Sequence, residues 1–299
     1  MTRVTALVFF LWISPFSTWA STLHDGREAG GEHRRLMTQH GAVHVWMPAR
    51  YDVRKAGIVV YVHGFFTSAD EAWEEHRLAE QFAASGRNAL FIVPEAPGSL
   101  QDPIAWPSLA ALLRTVREAT GNTLPAGPVV VTGHSGAFHT IVPWLGNTSI
   151  RSLLLIDALY RYENEFARWL AHGTRKAPRQ MILIGQETHS IAEAFIRRFP
   201  DAARRQDIPI QLDRFSPRER KARLLYMRSQ YDHMELVTTG KVIPLLLQLT
   251  PLPGILGTVT EIPNSKYHRL PLRNLGISVT VPKTPRLSSL PGFGYNAGL

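Results

Sequence analysis

The sequence contains no cysteine among its 299 residues. This absence excludes disulfide bonds, a thiol nucleophile, thiolate metal ligands and lipidation through an N-terminal cysteine. It does not argue against export, because a chain of this length can bury a large core without disulfides. Since 44% of the residues are hydrophobic and 19% are charged, we expect one sizeable globular domain.

Motifs for nucleotides and metals are also missing. The chain has no P-loop, no G-x-G-x-x-G sequence after a strand and no H-E-x-x-H zinc motif. Its twelve histidines do not fall at ligand spacing with carboxylates. We therefore expect neither a metal nor any other cofactor.

Negative charge is scarce relative to positive charge, which gives a net charge of +9 and an isoelectric point near 10.1. The basic residues are mostly arginines, and no single run dominates. A solvated basic surface is the favoured interpretation, because net charge bears on solubility rather than on fold. The alternative is attraction to an anionic partner such as an envelope polymer or lipid head groups. No nucleic-acid motif accompanies the charge, so we do not expect a nucleic-acid partner.

The first 20 residues have the pattern of an export signal. Arg3 precedes an apolar segment at 4–13, Pro15 interrupts it, and Thr18 and Ala20 are small residues where a signal peptidase reads. The apolar segment is shorter than the roughly 20 residues that span a bilayer. We predict a cleaved signal peptide over 1–20 and a periplasmic or secreted protein; an uncleaved anchor is the alternative.

The remainder divides into a polar lead-in at 21–40, a main domain at 41–250 and a Pro/Gly-rich tail at 251–299, to which no role is assigned. Apolar strands alternate with helices in the main domain. This alternation predicts a doubly wound, mostly parallel sheet with helices on both faces, a three-layer α/β sandwich. The predicted strands are 43–47 at the sheet's edge, 57–62, 89–94, 129–131, 153–156, 181–184 and 224–227. Two longer helices are predicted at 68–85 and at 234–249, the second kinked at Pro244.

The most informative segment is Gly133-His134-Ser135-Gly136-Ala137, which follows the strand at 129–131. The strand must end in a sharp turn into a helix, and a residue at such a turn has strained backbone angles. Its neighbours two positions away must be small, as Gly133 and Ala137 are, and Gly136 lets another backbone approach. This is the nucleophile elbow in the form G-x-S-x-A.

Residues 41–249 resemble the α/β-hydrolase superfamily. The resemblance depends on His63-Gly64-Phe65 after one strand, the elbow after another, an acidic residue after a later strand and a histidine after the last. Each mark alone is of limited specificity, but the order serine, acid, histidine is the one that this fold uses. The resemblance implies an α/β-hydrolase fold. Because only about five residues separate Asp157 from the next helix, we expect no large lid.

The resemblance also implies site roles. Ser135 would be the nucleophile and His233 its base, with His189 as the rival base; His134 and His139 are expected to face elsewhere, and His63 to brace the loop carrying Phe65. The oxyanion hole would consist of the backbone N–H groups of Phe65 and Gly136.

The acid of this arrangement is left between two residues. Asp157 follows the strand at 153–156 and is favoured, because a carboxylate leaving a fully apolar run needs a partner. Glu187 follows the next strand, where the superfamily more often has its acid. Asp232 adjoins His233 in sequence and is poorly placed to reach its ring.

These features predict an exported serine hydrolase that cleaves an ester, thioester or amide through an acyl-enzyme. An envelope acyltransferase and a catalytically inactive binding module are the alternatives. The absence of a lid predicts an open cleft near Trp106 and Tyr160, suited to a large or polymer-attached substrate. The identity of that substrate is not predicted.

Overall fold

The computed structural model describes residues 21–121 and 123–255. The predicted signal peptide at 1–20 and residues 256–299 of the predicted tail lie outside this range. None of the described helices is both long enough and apolar enough to cross a membrane.

One sheet organises the described residues. Its spatial order is β1-β2-β3-β5-β4-β6-β7-β8-β10-β9. The strands are β1 (Ser21–Glu28), β2 (Gly31–Thr38), β3 (Gly41–Met47), β4 (Gly57–Val62), β5 (Ala89–Pro94), β6 (Val129–His134), β7 (Ile150–Ile156), β8 (Gln180–Gly185), β9 (Ala203–Arg205) and β10 (Leu224–Arg228). The pairs from β5 through β9 in this order are parallel, and those joining β1, β2, β3 and β5 are antiparallel. The prediction of a doubly wound, mostly parallel sheet is confirmed.

Helices cover both faces of this sheet. They are α1 (Ala69–Glu75), α2 (Leu78–Ser85), α3 (Leu109–Thr120), α4 (Phe138–Ile141), α5 (Glu163–Ala171), α6 (His189–Ile196), α7 (Pro217–Arg220), α8 (Glu235–Thr238) and α9 (Val242–Gln248). Alternate residues of β4 enter different apolar clusters: Ile58 and Val60 belong to one, Val59 and Tyr61 to the other. Because successive side chains of a strand point to opposite faces, the two clusters are the two halves of a three-layer core.

Residues 21–40 are not a loose lead-in, contrary to the prediction. They form β1 and β2, an antiparallel pair that extends the sheet beyond β3. β3 is therefore an internal strand, and the prediction that it forms the half-buried edge is wrong: His44 and Trp46 on its expected outer side are buried. The polar residues of 21–40 suggested a loop because the sequence does not show that His33 in β2 hydrogen-bonds to His44 in β3.

A cluster of polar side chains makes this burial possible. The His33 Nε2 and His44 Nδ1 atoms are 3.0 Å apart, and His44 Nε2 lies 2.8 Å from Asp70 Oδ1 in α1. Arg35 donates two further hydrogen bonds to the same carboxylate, at 2.6 and 2.5 Å. Buried polar groups are tolerated when they are hydrogen-bonded in this way. The cluster ties the added strands to the first helix.

Both predicted long helices are interrupted. Arg77 has a positive φ of 51° and separates α1 from α2. Gly240, with a φ of 76°, lies between α8 and α9, so the break precedes the predicted kink at Pro244. Pro244 is in the first turn of α9, where the missing N–H removes no helical hydrogen bond.

The described start of the predicted tail packs on the main domain. Leu252 is buried, and the Asn88 N–H donates to the Pro253 carbonyl at 2.8 Å. An isolated bridge also pairs Arg87 with Gly254. Residues 251–255 thus continue the fold of the residues before them.

Candidate active site

The predicted site residues follow four strands that are neighbours in the sheet. β6 ends just before Ser135, β7 just before Asp157 and β8 two residues before Glu187, while His233 lies in the loop after β10. Carboxyl ends of parallel strands meet at one edge, which is where open α/β sheets form their sites. Six residues separate β7 from α5, so no lid is inserted there.

Ser135 occupies a strained turn between β6 and a single 3₁₀ turn. Its φ is 52°, in the left-handed region that non-glycine residues rarely adopt. A Cβ on Gly133 would lie 2.6 Å from both Ala137 Cβ and Ile141 Cδ1. Gly133 and Ala137 are therefore so close that a larger side chain at position 133 would not fit, as predicted for the residues two positions from the serine.

The loop that carries Phe65 packs against this turn. A Cβ on Gly64 would lie 2.9 Å from Ser135 Cβ, and one on Gly136 would lie 2.4–2.6 Å from the Phe65 ring. Gly136 thus makes room for an aromatic side chain rather than for a second backbone, which corrects the expectation. The two proposed oxyanion donors, Phe65 and Gly136, are in contact beside the serine.

Hydrogen bonds fix the conformation of this loop. His63 Nδ1 donates to the Gly64 carbonyl at 2.8 Å, and its Nε2 accepts from the Ala96 N–H at 2.9 Å. Phe66, further along the same loop, has a φ of 63° and donates its N–H to the Gly98 carbonyl at 2.9 Å. His63 therefore braces the loop as expected.

Asp157 and His233 form a close pair. Asp157 Oδ2 is 2.7 Å from His233 Nδ1, and the carboxylate is fully buried. It also accepts the backbone N–H groups of Gln186, Glu187 and Thr188 and the Thr188 hydroxyl, at 2.6–3.0 Å. Burial opposes ionisation, but these hydrogen bonds outweigh it and hold the pKa of Asp157 well below its usual range.

The His233 imidazole responds in the opposite direction. Its partial burial favours the neutral ring, but the hydrogen bond and charge of Asp157, with the charge of Glu187, raise its pKa above the usual 6.5. Because Nδ1 donates to Asp157, the other ring nitrogen, Nε2, is left as the proton acceptor. This tautomer is the one a base for Ser135 requires.

Glu187 and His189, the alternatives to Asp157 and His233, have other partners. The Glu187 Oε2 atom is 4.0 Å from His233 Nδ1 and accepts the Tyr160 hydroxyl at 2.6 Å. His189 Nδ1 hydrogen-bonds to the Gln186 carbonyl and its Nε2 to Ser190. Geometry therefore favours Asp157 as the partner of His233, and both ring nitrogens of His189 are engaged by neighbouring residues.

Tyr160 lies beside the serine. Burial, then the hydrogen bond to Glu187, raises the pKa of Tyr160, and the nearby Ser135 side chain opposes this rise. Within residues 21–121 and 123–255, no hydrogen bond joins Ser135 Oγ to the His233 ring. Catalytic hydrogen bonds are often long in unliganded enzymes and tighten when substrate binds.

His134 is part of this site, contrary to the expectation that it faces elsewhere. Its Nε2 donates to the His233 carbonyl at 3.1 Å, and the two rings lie 4.4 Å apart between centroids. Burial, with the nearby His233 and His76 rings, lowers the pKa of His134 to about 3, so this ring is neutral. It holds the loop that carries His233.

Aromatic rings surround the serine. The Phe138 ring lies 6.0–6.1 Å from those of Phe65, Tyr160 and Tyr162, and Tyr162 is 40% exposed. Tyr160 is thus near Ser135, as predicted, whereas Trp106 is buried in the core and does not line the cleft. The opening is an aromatic surface without a lid.

A metal fits this edge poorly. Asp157, Glu187 and His233 offer three ligand atoms within 4.8 Å of one another. Both Asp157 oxygens, however, already accept hydrogen bonds, one of them from the nitrogen that would coordinate a metal. The expectation that no cofactor is needed stays a prediction.

Comparisons with known proteins agree with this geometry. The model of the family described as "Alpha/beta hydrolase family" matches residues 59–267. No curated protein sequence matches the chain.

Two solved structures are similar to this chain at low sequence identity. An S-formylglutathione hydrolase from Agrobacterium tumefaciens is 12% identical, with 78% of this chain and 100% of that chain covered and a TM-score of 0.48. A serine-to-alanine mutant of a feruloyl esterase module from Clostridium thermocellum, complexed with sinapinate, is 9% identical, with 78% and 96% covered and a TM-score of 0.50.

Proposed function

Because the chain belongs to the alpha/beta hydrolase family, we propose that it is a serine hydrolase that cleaves an ester, thioester or amide through an acyl-enzyme on Ser135. The observation that carries this proposal is the contact of the buried Asp157 with the half-buried His233 ring, 2.7 Å apart, beside a serine at a strained turn. Asp157 also anchors the backbone at 186–188, so its bond to the His233 ring, rather than its burial alone, is what supports a catalytic role.

The proposed reaction has two halves. His233 Nε2 takes the Ser135 proton as Oγ attacks the carbonyl carbon, and the tetrahedral intermediate forms with its negative oxygen facing the N–H groups of Phe65 and Gly136. The protonated imidazole then gives its proton to the leaving alcohol, thiol or amine, and the acyl-enzyme remains. Water, deprotonated by the same nitrogen, attacks the acyl-enzyme and releases the acid and free Ser135.

Asp157 acts on the imidazole rather than on the substrate. Its hydrogen bond selects the tautomer with Nε2 free, and its charge stabilises the imidazolium formed in each half-reaction. The low pKa of Asp157 keeps this charge in place during turnover. For the first proton transfer the Ser135 hydroxyl must hydrogen-bond to His233 Nε2, a contact that substrate in the cleft would favour.

The open aromatic surface supports a substrate with a bulky apolar or planar group. Phe66 is 93% exposed although its backbone is strained. Tyr162, whose ring lies 6.1 Å from that of Phe138, is also exposed at a positive φ of 66°. Strained backbone persists only where the surroundings fix it, and such positions cluster at functional sites. The lack of a lid between β7 and α5 supports a large or polymer-attached substrate, and the segment 1–20 supports export.

Hydrolysis of 4-nitrophenyl esters tests this function. We expect a burst of one nitrophenol per enzyme, and a loss of at least about 10⁴-fold in kcat for Ser135→Ala and His233→Ala. Ser190→Ala, at an exposed serine next to His189, is the matched control and should keep wild-type activity. A folded Ser135→Ala variant with wild-type turnover would refute the nucleophile.

Two further measurements address the remaining parts of the proposal. If the acyl group is transferred to a sugar or lipid in preference to water, the protein is an acyltransferase and not a hydrolase. Sequencing the N-terminus of the protein recovered from the producing cell tests export: a mature chain that begins at Ser21 is expected, and a retained Met1 would contradict cleavage.

A further inference from the structure

A cavity lies where β10 begins, whereas Ser135 follows the carboxyl end of a strand, β6. It has a volume of about 750 Å³ and is bordered by the first residue of β10 and by the C-terminal ends of α5 and α6. Its remaining wall is α7 and the residues that follow it. The volume is within the range of small-molecule sites. None of the proposed catalytic residues lines it.

The base of the cavity is apolar. Leu170, Ala202 and Leu224 are buried side chains that form it, with the half-buried Phe199 and the exposed Pro200 beside them. Such a surface binds hydrocarbon because contact removes apolar area from water.

Cations border this apolar base. Arg198, Arg218, Lys221 and Arg223 are exposed and line the cavity, against a single carboxylate, Asp201. Arg223, the residue before β10, donates a hydrogen bond to the Leu170 carbonyl in α5 at 2.6 Å, which holds its side chain in place. Among the described residues, Arg198, Arg218 and Lys221 have no ion-pair partner, so their charge is available to a ligand.

This arrangement belongs to a larger segregation of charge. Residues 197–223 contain nine basic and four acidic residues, so this short segment carries +5 of the chain's net +9. Clustered cations at a low-dielectric surface raise the local concentration of anions. Four of these nine basic residues line the cavity.

We propose that this cavity binds an anionic amphiphile, with a carboxylate or phosphate head group on the arginines and an apolar chain over the base. Guanidinium groups suit both head groups because their fork of N–H donors matches two oxygens at once. The ligand is a soluble single molecule, since the cavity is a concave site rather than a flat face. The site is independent of the hydrolysis proposed above.

Titration calorimetry with decanoate below its micelle concentration tests the proposal. We expect one molecule bound per chain at this cavity, with affinity falling as salt rises because the head group's attraction is screened. The double variant Arg218→Glu/Lys221→Glu should weaken binding at least 10-fold. Arg114→Glu/Arg117→Glu, on the exposed side of α3, changes the net charge equally and should leave the affinity within twofold.

A second variant separates the cavity from charge alone. Ala171 is an exposed residue of the lining, so Ala171→Trp fills the cavity without changing any charge, and we expect it also to weaken decanoate at least 10-fold. Three results would overturn the proposal: decanoate binding unchanged in both cavity variants, acetate binding as tightly as decanoate, or binding only to anionic vesicles with none to soluble decanoate.

Discussion

At the scale of single residues, two carboxylates compete for the role of orienting His233. Asp157 contacts Nδ1 at 2.7 Å from a buried position, and Glu187 lies at 4.0 Å with its charge directed to Tyr160. We predict that Asp157→Asn lowers kcat about 10³–10⁴-fold, because the amide no longer fixes the tautomer. Glu187→Gln, the matched substitution, should cost less than about 10-fold. Steady-state kinetics with one ester would decide, and the reverse order of losses would reject Asp157.

The acid side of the pH profile reports the same imidazole. A base must be neutral, and the pKa of His233 is raised above 6.5, so kcat/KM should fall as pH drops through a midpoint above 6.5. Glu187→Gln removes a negative charge near the ring and should move this midpoint to lower pH. Glu118→Gln, an exposed change on α3, is the control. A midpoint that stays fixed in Glu187→Gln would contradict the electrostatic account.

The positions of Ser135, Asp157 and His233 at one edge could be predicted because each follows an apolar strand, as Glu187 also does. Their catalytic roles come from the family resemblance and stay predictions. The roles of Tyr160 and His134 could not. They depend on how side chains turn within loops, which no periodicity in the sequence encodes. Burial of His134 beside His233 is a tertiary contact between residues 99 positions apart.

At the scale of elements, the turn after β6 depends on the contact between Gly136 and the Phe65 ring. A methyl group on Gly136 would require that ring to move, and with it the loop that supplies an oxyanion donor. We predict that Gly136→Ala lowers kcat by about 10²–10³-fold, the loss typical of removing one such donor, with little change in KM.

Ala137→Gly is the control for this prediction, since it leaves the Phe65 contact intact and creates the commoner form of the turn. It should keep kcat within about threefold. Thermal unfolding of both variants separates a local shift from a loss of fold. Equal kcat for Gly136→Ala and wild type would contradict the proposed geometry.

Elements with uniform apolar runs were predictable, and those built from paired polar residues were not. β4 and β5 have the bounds that their sequences indicate. β2 is not predictable from the sequence because His33 and Arg35, each considered alone, are polar residues expected at the surface. They are buried or half-buried only because His44 and Asp70, from two other elements, provide hydrogen bonds.

At the scale of the whole molecule, buried neutral histidines link folding to pH. Burial lowers the pKa of His44 and of His76 to about 4 and that of His134 to about 3. Between pH 6.5 and about 4 the unfolded chain therefore binds protons that the folded chain does not, so stability falls as pH falls. Each histidine contributes about 1.4 kcal/mol per pH unit in this window.

Urea unfolding at a series of pH values measures this dependence. His76→Gln should reduce the slope by about one proton, and Ser190→Ala, a surface change that removes no titratable group, should leave it unchanged. The raised pKa of His233 acts with the opposite sign and only above pH 6.5, and the lowered pKa of Asp157 acts below about pH 4. A stability independent of pH between 6.5 and 4 would contradict the account.

The central claim is that the turn after β6 presents Ser135 as a nucleophile activated by His233. Labelling of the folded protein with a fluorophosphonate probe, followed by peptide mapping, measures this directly. We predict a single label on Ser135, formed far more slowly in His233→Ala and Asp157→Ala than in wild type, and less affected in Glu187→Ala. A folded wild-type protein whose Ser135 stays unlabelled would contradict the claim and favour a binding module that lacks the chemistry.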